Sequence, residues 1–190
     1  MLHLVIVSLE SLYPKTCFFF LLSVLLVSCD TSEEKKTRHV KKVEIERELE
    51  VSVDAAWENI FLELDKAYKF SPAVEKSGFI GSAREVSVGS IIFLESSDKG
   101  LVKIRVTELD DSRHLLKFKI HESQLPIDTA MTFGQSELIR VSGEKTLLKL
   151  SLHFKTNPTF LAELVKDELG KNLKEVASGI ETYLVDNREK

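Results

Sequence analysis

The chain has 190 residues, 43% hydrophobic and 29% charged, with a formal net charge of −4. That is the composition of a globular protein of one domain, or one domain with a targeting segment, and the negative balance argues against a nucleic-acid partner, which wants a basic stripe. Both cysteines, Cys17 and Cys29, lie near the start, which excludes a disulfide framework, a thiolate zinc site and a cysteine nucleophile from the rest of the chain.

Residues 16–28 form an apolar run that follows Lys15 and ends in small residues. A positive flank, an apolar stretch of about 13 residues and a cleavage region is the plan of a secretory signal, and the run is short of the roughly 20 residues that span a bilayer. Leu26-Val27-Ser28-Cys29 resembles the lipobox of bacterial lipoproteins. The resemblance implies that residues 1–28 are removed and that Cys29 receives a diacylglyceryl group. The protein would then be exported and lipid-anchored to a membrane of the bacterial cell envelope. Residues 1–14 depart from the pattern, since they hold the apolar Leu2–Val7 stretch and Glu10 but no Lys or Arg. They leave open the reading of residues 1–28 as an uncleaved anchor. Asp30–His39 has no apolar side chain. Burial cannot offset the entropy of ordering it, so 29–39 is expected to be a flexible tether and 40–186 the domain.

Val43, Ile45, Leu49, Val51 and Val53 fall at alternate positions, with Arg47 the exception, and predict a half-buried strand. Asp54 is expected to cap a helix that starts at Ala55-Ala56-Trp57. Trp57, Ile60, Phe61 and Leu64 keep helical spacing to about Tyr68, in two short pieces, until Ser71-Pro72 ends them. Gly78–Glu85 reads as a weak strand, Val88-Gly89-Ser90 leads into a strand over Ile91–Glu95, and Ser96–Gly100 is a hairpin turn.

Val102, Ile104 and Val106 then alternate with Lys103 and Arg105. After an Asp110-Asp111-Ser112 turn, Leu116, Phe118 and Ile120 alternate with Lys117, Lys119 and His121. A strand over Thr129–Val141 ends at Ser142-Gly143-Glu144, and Leu148, Leu150, Leu152 and Phe154 alternate with Lys149, Ser151, His153 and Lys155. These spacings predict an antiparallel meander with one wet face.

Asn157-Pro158 opens a last helix whose stripe is Leu161, Val165, Leu169, Leu173, Val176, Ile180 and Leu184, with Leu164 beside it. A helix of this length needs a broad apolar surface, and the sheet supplies it. The expected fold class is α+β: a helix-grip, with a curved antiparallel sheet of about seven strands around a long C-terminal helix.

At this point residues 41–185 resemble the START-like superfamily of polyketide cyclase/dehydrase and lipid-transport proteins, with the Bet v 1 helix-grip fold. The resemblance rests on Val53-Asp54-Ala55-Ala56-Trp57, where a strand enters a helix carrying an aromatic. It rests also on the glycine turn Val88-Gly89-Ser90 and the hairpin Gly143-Glu144-Lys145-Thr146. Val53 stands where that superfamily often has proline. The resemblance implies binding of an apolar small molecule such as a lipid or quinone, with cyclase, dehydratase or hydrolase chemistry as the alternative. A fold with so many uses does not choose between them.

The strands offer Phe93, Ile104, Leu116, Phe118, Ile120, Leu150, Leu152 and Phe154 as pocket wall, with Met131 and Phe133 joining them; the same residues would also fill a closed core. Over Thr129–Val141 one face reads Met131, Phe133, Gln135, Glu137 and Ile139, and the other Thr132, Gly134, Ser136, Leu138 and Arg140. If the first faces inward, Gln135 and Glu137 become polar groups inside an apolar pocket, where each needs a partner. His114, His121 and His153 keep no ligand spacing and read as surface histidines. No catalytic motif stands out, and the pattern calls for no metal or cofactor. A closed protein-interaction domain is the third reading, and the oligomeric state is left open.

Overall fold

The computed structural model describes residues 40–97 and 100–187. The expected signal 1–28, Cys29 and the tether 29–39 lie outside the described residues. Seven strands form one antiparallel sheet: β1 (Lys41–Leu49), β2 (Lys76–Ile80), β3 (Ile91–Ser96), β4 (Gly100–Asp110), β5 (Leu115–Ser123), β6 (Phe133–Arg140) and β7 (Thr146–Phe154), in the spatial order β1-β7-β6-β5-β4-β3-β2. From β2 to β7 every chain neighbour is a sheet neighbour, which is the meander that the alternation and turns dictate. Two register shifts in β4, at Lys103/Ile104 and Val106/Glu108, bend the strand where β4 and β5 pair. The long helix α2 (Ala162–Asn187) follows a single 3₁₀ turn, Thr159–Leu161, that carries the chain in from Pro158. The helix-grip arrangement is therefore present as expected.

The Thr129–Val141 stretch splits in two. Asp128 accepts a hydrogen bond from Ala130 N at 3.1 Å and holds a 3₁₀ turn over Thr129–Met131 before β6 begins. The connection after β1 is also more broken than its spacing suggests. Helix α1 (Val53–Ala56) passes into a π-helical turn over Trp57–Phe61 and then a 3₁₀ segment over Leu64–Lys69. The capping residue is Ser52, whose Oγ accepts from Ala55 N at 3.3 Å.

Asp54, expected as that cap, sits in the first turn and faces outward. Its carboxylate accepts from Arg140 at 2.9 Å and lies 3.1 Å from His114 Nε2. Trp57 donates from Nε1 to Asp111 at 2.9 Å and stacks on Phe61. Together these contacts pin the helical connection to the β4–β5 turn and to the end of β6.

Two apolar clusters hold helix to sheet. The larger takes Trp57, Ile60, Phe61, Ile92, Leu148 and, from α2, Ala177, Ile180 and Leu184. The smaller takes Val43, Leu152 and Phe154 with Val165 and Leu169 of α2. The helix is thus gripped at both ends of its stripe. Arg47, the charged interruption in β1, has a reason. It pairs in register with the buried Leu148, so it sits on the helix side at the sheet edge, and its Nε reaches Glu181 of α2 at 2.8 Å. Gly179 lets α2 come close to the preceding connection, because a Cβ there would lie 2.2 Å from the Phe70 carbonyl oxygen.

Candidate ligand cavity

Between the sheet, α2 and the connection after β1 a cavity of about 270 Å³ is left. Its floor is the helix-facing row of the sheet: Val102 and Ile104 of β4, Leu116 and Phe118 of β5, and Leu150 and Leu152 of β7. Leu169, Leu173, Val176 and Ile180 of α2 close the top. A third wall comes from the connection after β1, through Ile60, Phe61, Leu64, Phe70 and Val74. Leu125 and Ile127, after β5, complete it. The hollow follows from the architecture. A helix held at both ends over a bent sheet cannot drop into the bend, and the side chains that meet it there are mostly no larger than Leu.

Seven of the residues picked out from the sequence border this space: Ile104, Leu116, Phe118, Ile120, Gln135, Leu150 and Leu152. Gln135 does so differently from the rest. Its cross-strand neighbours are Lys117 and Ser151, the outward row, so strand alternation leaves it main chain to present to the hollow. The inward row of β6 is Gly134, Ser136 and Leu138, opposite Phe118, Leu116 and the other cavity-side residues. The face carrying Gln135 and Glu137 is therefore the outer one. Glu137 lies opposite Lys149 there. Phe133 is 42% exposed and stacks on His153 with ring centroids 4.7 Å apart. Burial in that stack, aided by the charge of Lys42, pushes the His153 imidazole below its usual pKa.

Three further candidates lie elsewhere. Met131 is half-buried in the 3₁₀ turn and does not border the hollow. Phe93 stands between Ile92, fully buried, and the cavity residue Leu94, so alternation turns it to the opposite face. Its ring lies over Gly78 of β2, 3.0 Å from where a Cβ would be. Phe154 is wholly buried, but within the smaller cluster. His114 is half-buried edge-on against Trp57 rather than freely exposed.

The sequence reading missed the wall supplied by Leu64, Phe70, Ser71 and Val74, because a segment marked only as a broken helix and its stop gives no sign of facing a cavity. Among the described residues that line the hollow, none carries an ionisable side chain. Such a lining can desolvate and hold an apolar molecule. It has no acid or base to move a proton.

No family model matches the chain, and no curated protein matches it in sequence. Solved structures do match it in shape. The Zhui aromatase/cyclase from Streptomyces sp. R1128 superposes with a TM-score of 0.68 at 16% identity, covering 80% of this chain and 97% of that one. Ara h 8.0201 gives 0.65 at 17% identity over 78% and 99%. Norcoclaurine synthase from Thalictrum flavum, in complex with dopamine and hydroxybenzaldehyde, gives 0.62 at 19% identity over 78% and 88%. At such identities the likeness establishes the fold alone, and the fold of residues 40–187 is the helix-grip that these Bet v 1-like structures share.

Proposed function

We propose that this chain binds an apolar small molecule in the hollow between sheet and α2, and that it does so at a bacterial envelope membrane, held by a lipid on Cys29. The observation that carries the binding reading is the apolar-lined cavity of about 270 Å³ between sheet and helix. Protein interiors pack like organic crystals, with few voids larger than a water molecule, so an unfilled apolar space of this size is a site in waiting. It also speaks against a closed interaction domain. Norcoclaurine synthase carries dopamine and hydroxybenzaldehyde on the same fold, which supports a small organic occupant. The cyclase-type alternative would want a titratable group in the hollow, and Glu137, its leading candidate, lies on the outer face.

Native mass spectrometry of the purified chain should show a bound apolar molecule, and calorimetric titration should show uptake of naphthalene. A chain that carries nothing and takes up no naphthalene would remove the binding reading. The anchor is tested separately: cells fed labelled palmitate should label the wild type and not Cys29→Ala. An unlabelled wild type would leave the domain without its proposed tether.

A further inference from the structure

β1 pairs with β7 so that Lys41 stands opposite Phe154 and Leu49 opposite Thr146. The chain therefore enters the domain at the end of the sheet where β7 runs on towards α2. The entry is tied to that helix, because Lys41 Nζ lies 2.9 Å from Glu163 Oε1 in the first turn of α2. Within one turn of Glu163 stand Phe160 and Leu164, 82% and 70% exposed. They are the two most exposed large apolar side chains among the described residues. A single apolar residue on a surface needs no explanation, but two such neighbours do. The exposed Pro126 joins this end of the fold, its carbonyl accepting from Asn157 N at 3.2 Å. Leu125 and Ile127, which border the hollow, pack in the same cluster as Leu161, so the patch and the cavity are neighbours.

The patch is one turn deep, since Asp167 and Glu168 follow on α2. An apolar tip of that depth suits the boundary between headgroups and acyl chains rather than the hydrocarbon centre. What covers it follows from the chain before the domain. Only residues 30–39 separate Cys29 from Val40. Even drawn straight they reach at most about 40 Å. A domain of this size is itself roughly 40 Å across. With Cys29 in a bilayer, the far end of the domain could meet the membrane only by straightening the whole segment along the domain, against its conformational entropy. The near end meets the membrane without that cost, and it is the end that carries Phe160 and Leu164.

We infer that the start of α2, through Phe160 and Leu164, lies in the membrane interface, so that the domain docks on the bilayer by the end at which the chain enters it. This rests on the anchor reading above and adds the face that meets the lipid.

The test uses the full chain, purified in detergent from expressing bacteria and reconstituted with phosphatidylcholine–phosphatidylglycerol vesicles, plain or brominated near the top of the acyl chains. The single tryptophan of the wild type, Trp57, gives the baseline, because it bonds to Asp111 of the β4–β5 turn at the opposite end of the sheet. Phe160→Trp should add an emission that is blue-shifted in plain vesicles and quenched in brominated ones. Val141→Trp, at a position 54% exposed in the β6–β7 hairpin of that opposite end, should add one that is neither. Leu164→Glu combined with Phe160→Trp should remove most of the quenching, since a carboxylate resists the apolar boundary. A Phe160→Trp chain that floats with the vesicles yet is quenched no more than the wild type overturns the inference, whether water, a second copy or another protein covers the patch. So does quenching that is equal at positions 160 and 141, or untouched by Leu164→Glu. Those outcomes leave the anchor standing. A wild type that does not float with the vesicles removes the anchor reading, and this inference with it.

Discussion

Alanine at position 134 is expected to close the hollow to its ligand while leaving the fold in place. Gly134 lies on β6 between Phe118 of β5 and Leu152 of β7. A Cβ built there would sit 2.2 Å from Phe118 Cζ and 2.7 Å from both Cε atoms. No real Cβ tolerates such contacts, so the ring must swing away. Backbone lies beneath it and neighbouring strands flank it, and the open direction is the cavity that Phe118 already lines. A displaced phenyl occupies a sizeable share of a space of about 270 Å³, and naphthalene affinity should fall by at least about tenfold. Stability should change by no more than about 1 kcal/mol, because replacing a strand glycine recovers roughly 0.5–1 kcal/mol of backbone entropy against the cost of the ring's new position. Calorimetric titration and urea unfolding on the same variant check both halves. The double variant Gly134→Ala/Phe118→Ala should bind again, a non-additivity expected only if the ring is the obstacle. Unchanged affinity in the single variant would show that the ligand sits away from Phe118.

The same strand shows why part of the site could not be read in advance. Most strands here announce their faces: Leu148, Leu150, Leu152 and Phe154 point in, and Lys149, Ser151 and His153 point out. On β6 the signal is inverted. The outer row carries Phe133 and Ile139, both exposed, and the inner row begins with Gly134 and Ser136. A strand that borders an open space needs small side chains there, since larger ones would fill it. Apolar patterning reports contact with packed neighbours, not contact with a void. Phe93 is lost for a related reason. Ile91-Ile92-Phe93-Leu94 is apolar at every position, so nothing in the run marks which pair faces the helix. The stripe of α2 was legible because it answers a packed sheet along most of its length. Ser71 was not, since an isolated serine before a proline means only a turn until the fold places it beside a cavity.

Phe154 separates residues that hold the grip from residues that line the hollow. It is 0% exposed at the end of β7, beside Val43 and Leu152 on the sheet and beneath Val165 and Leu169 of α2. The cluster is small and fixes the N-terminal half of the helix, so few neighbours can relax into the gap that a truncation would leave. Phe154→Ala should therefore destabilise by about 3–5 kcal/mol, near the upper range for a large-to-small core change. For a domain of this size that lowers Tm by roughly 10 °C, since each kcal/mol moves the midpoint by about 2–4 °C. Where the variant is still folded, naphthalene affinity should stay within about threefold of wild type, because Phe154 does not border the cavity. The opposite pattern, normal unfolding with lost binding, would make Phe154 a wall residue after all. The expected pattern would mean that the cluster around Phe154 anchors the N-terminal half of α2 without forming part of the wall of the hollow.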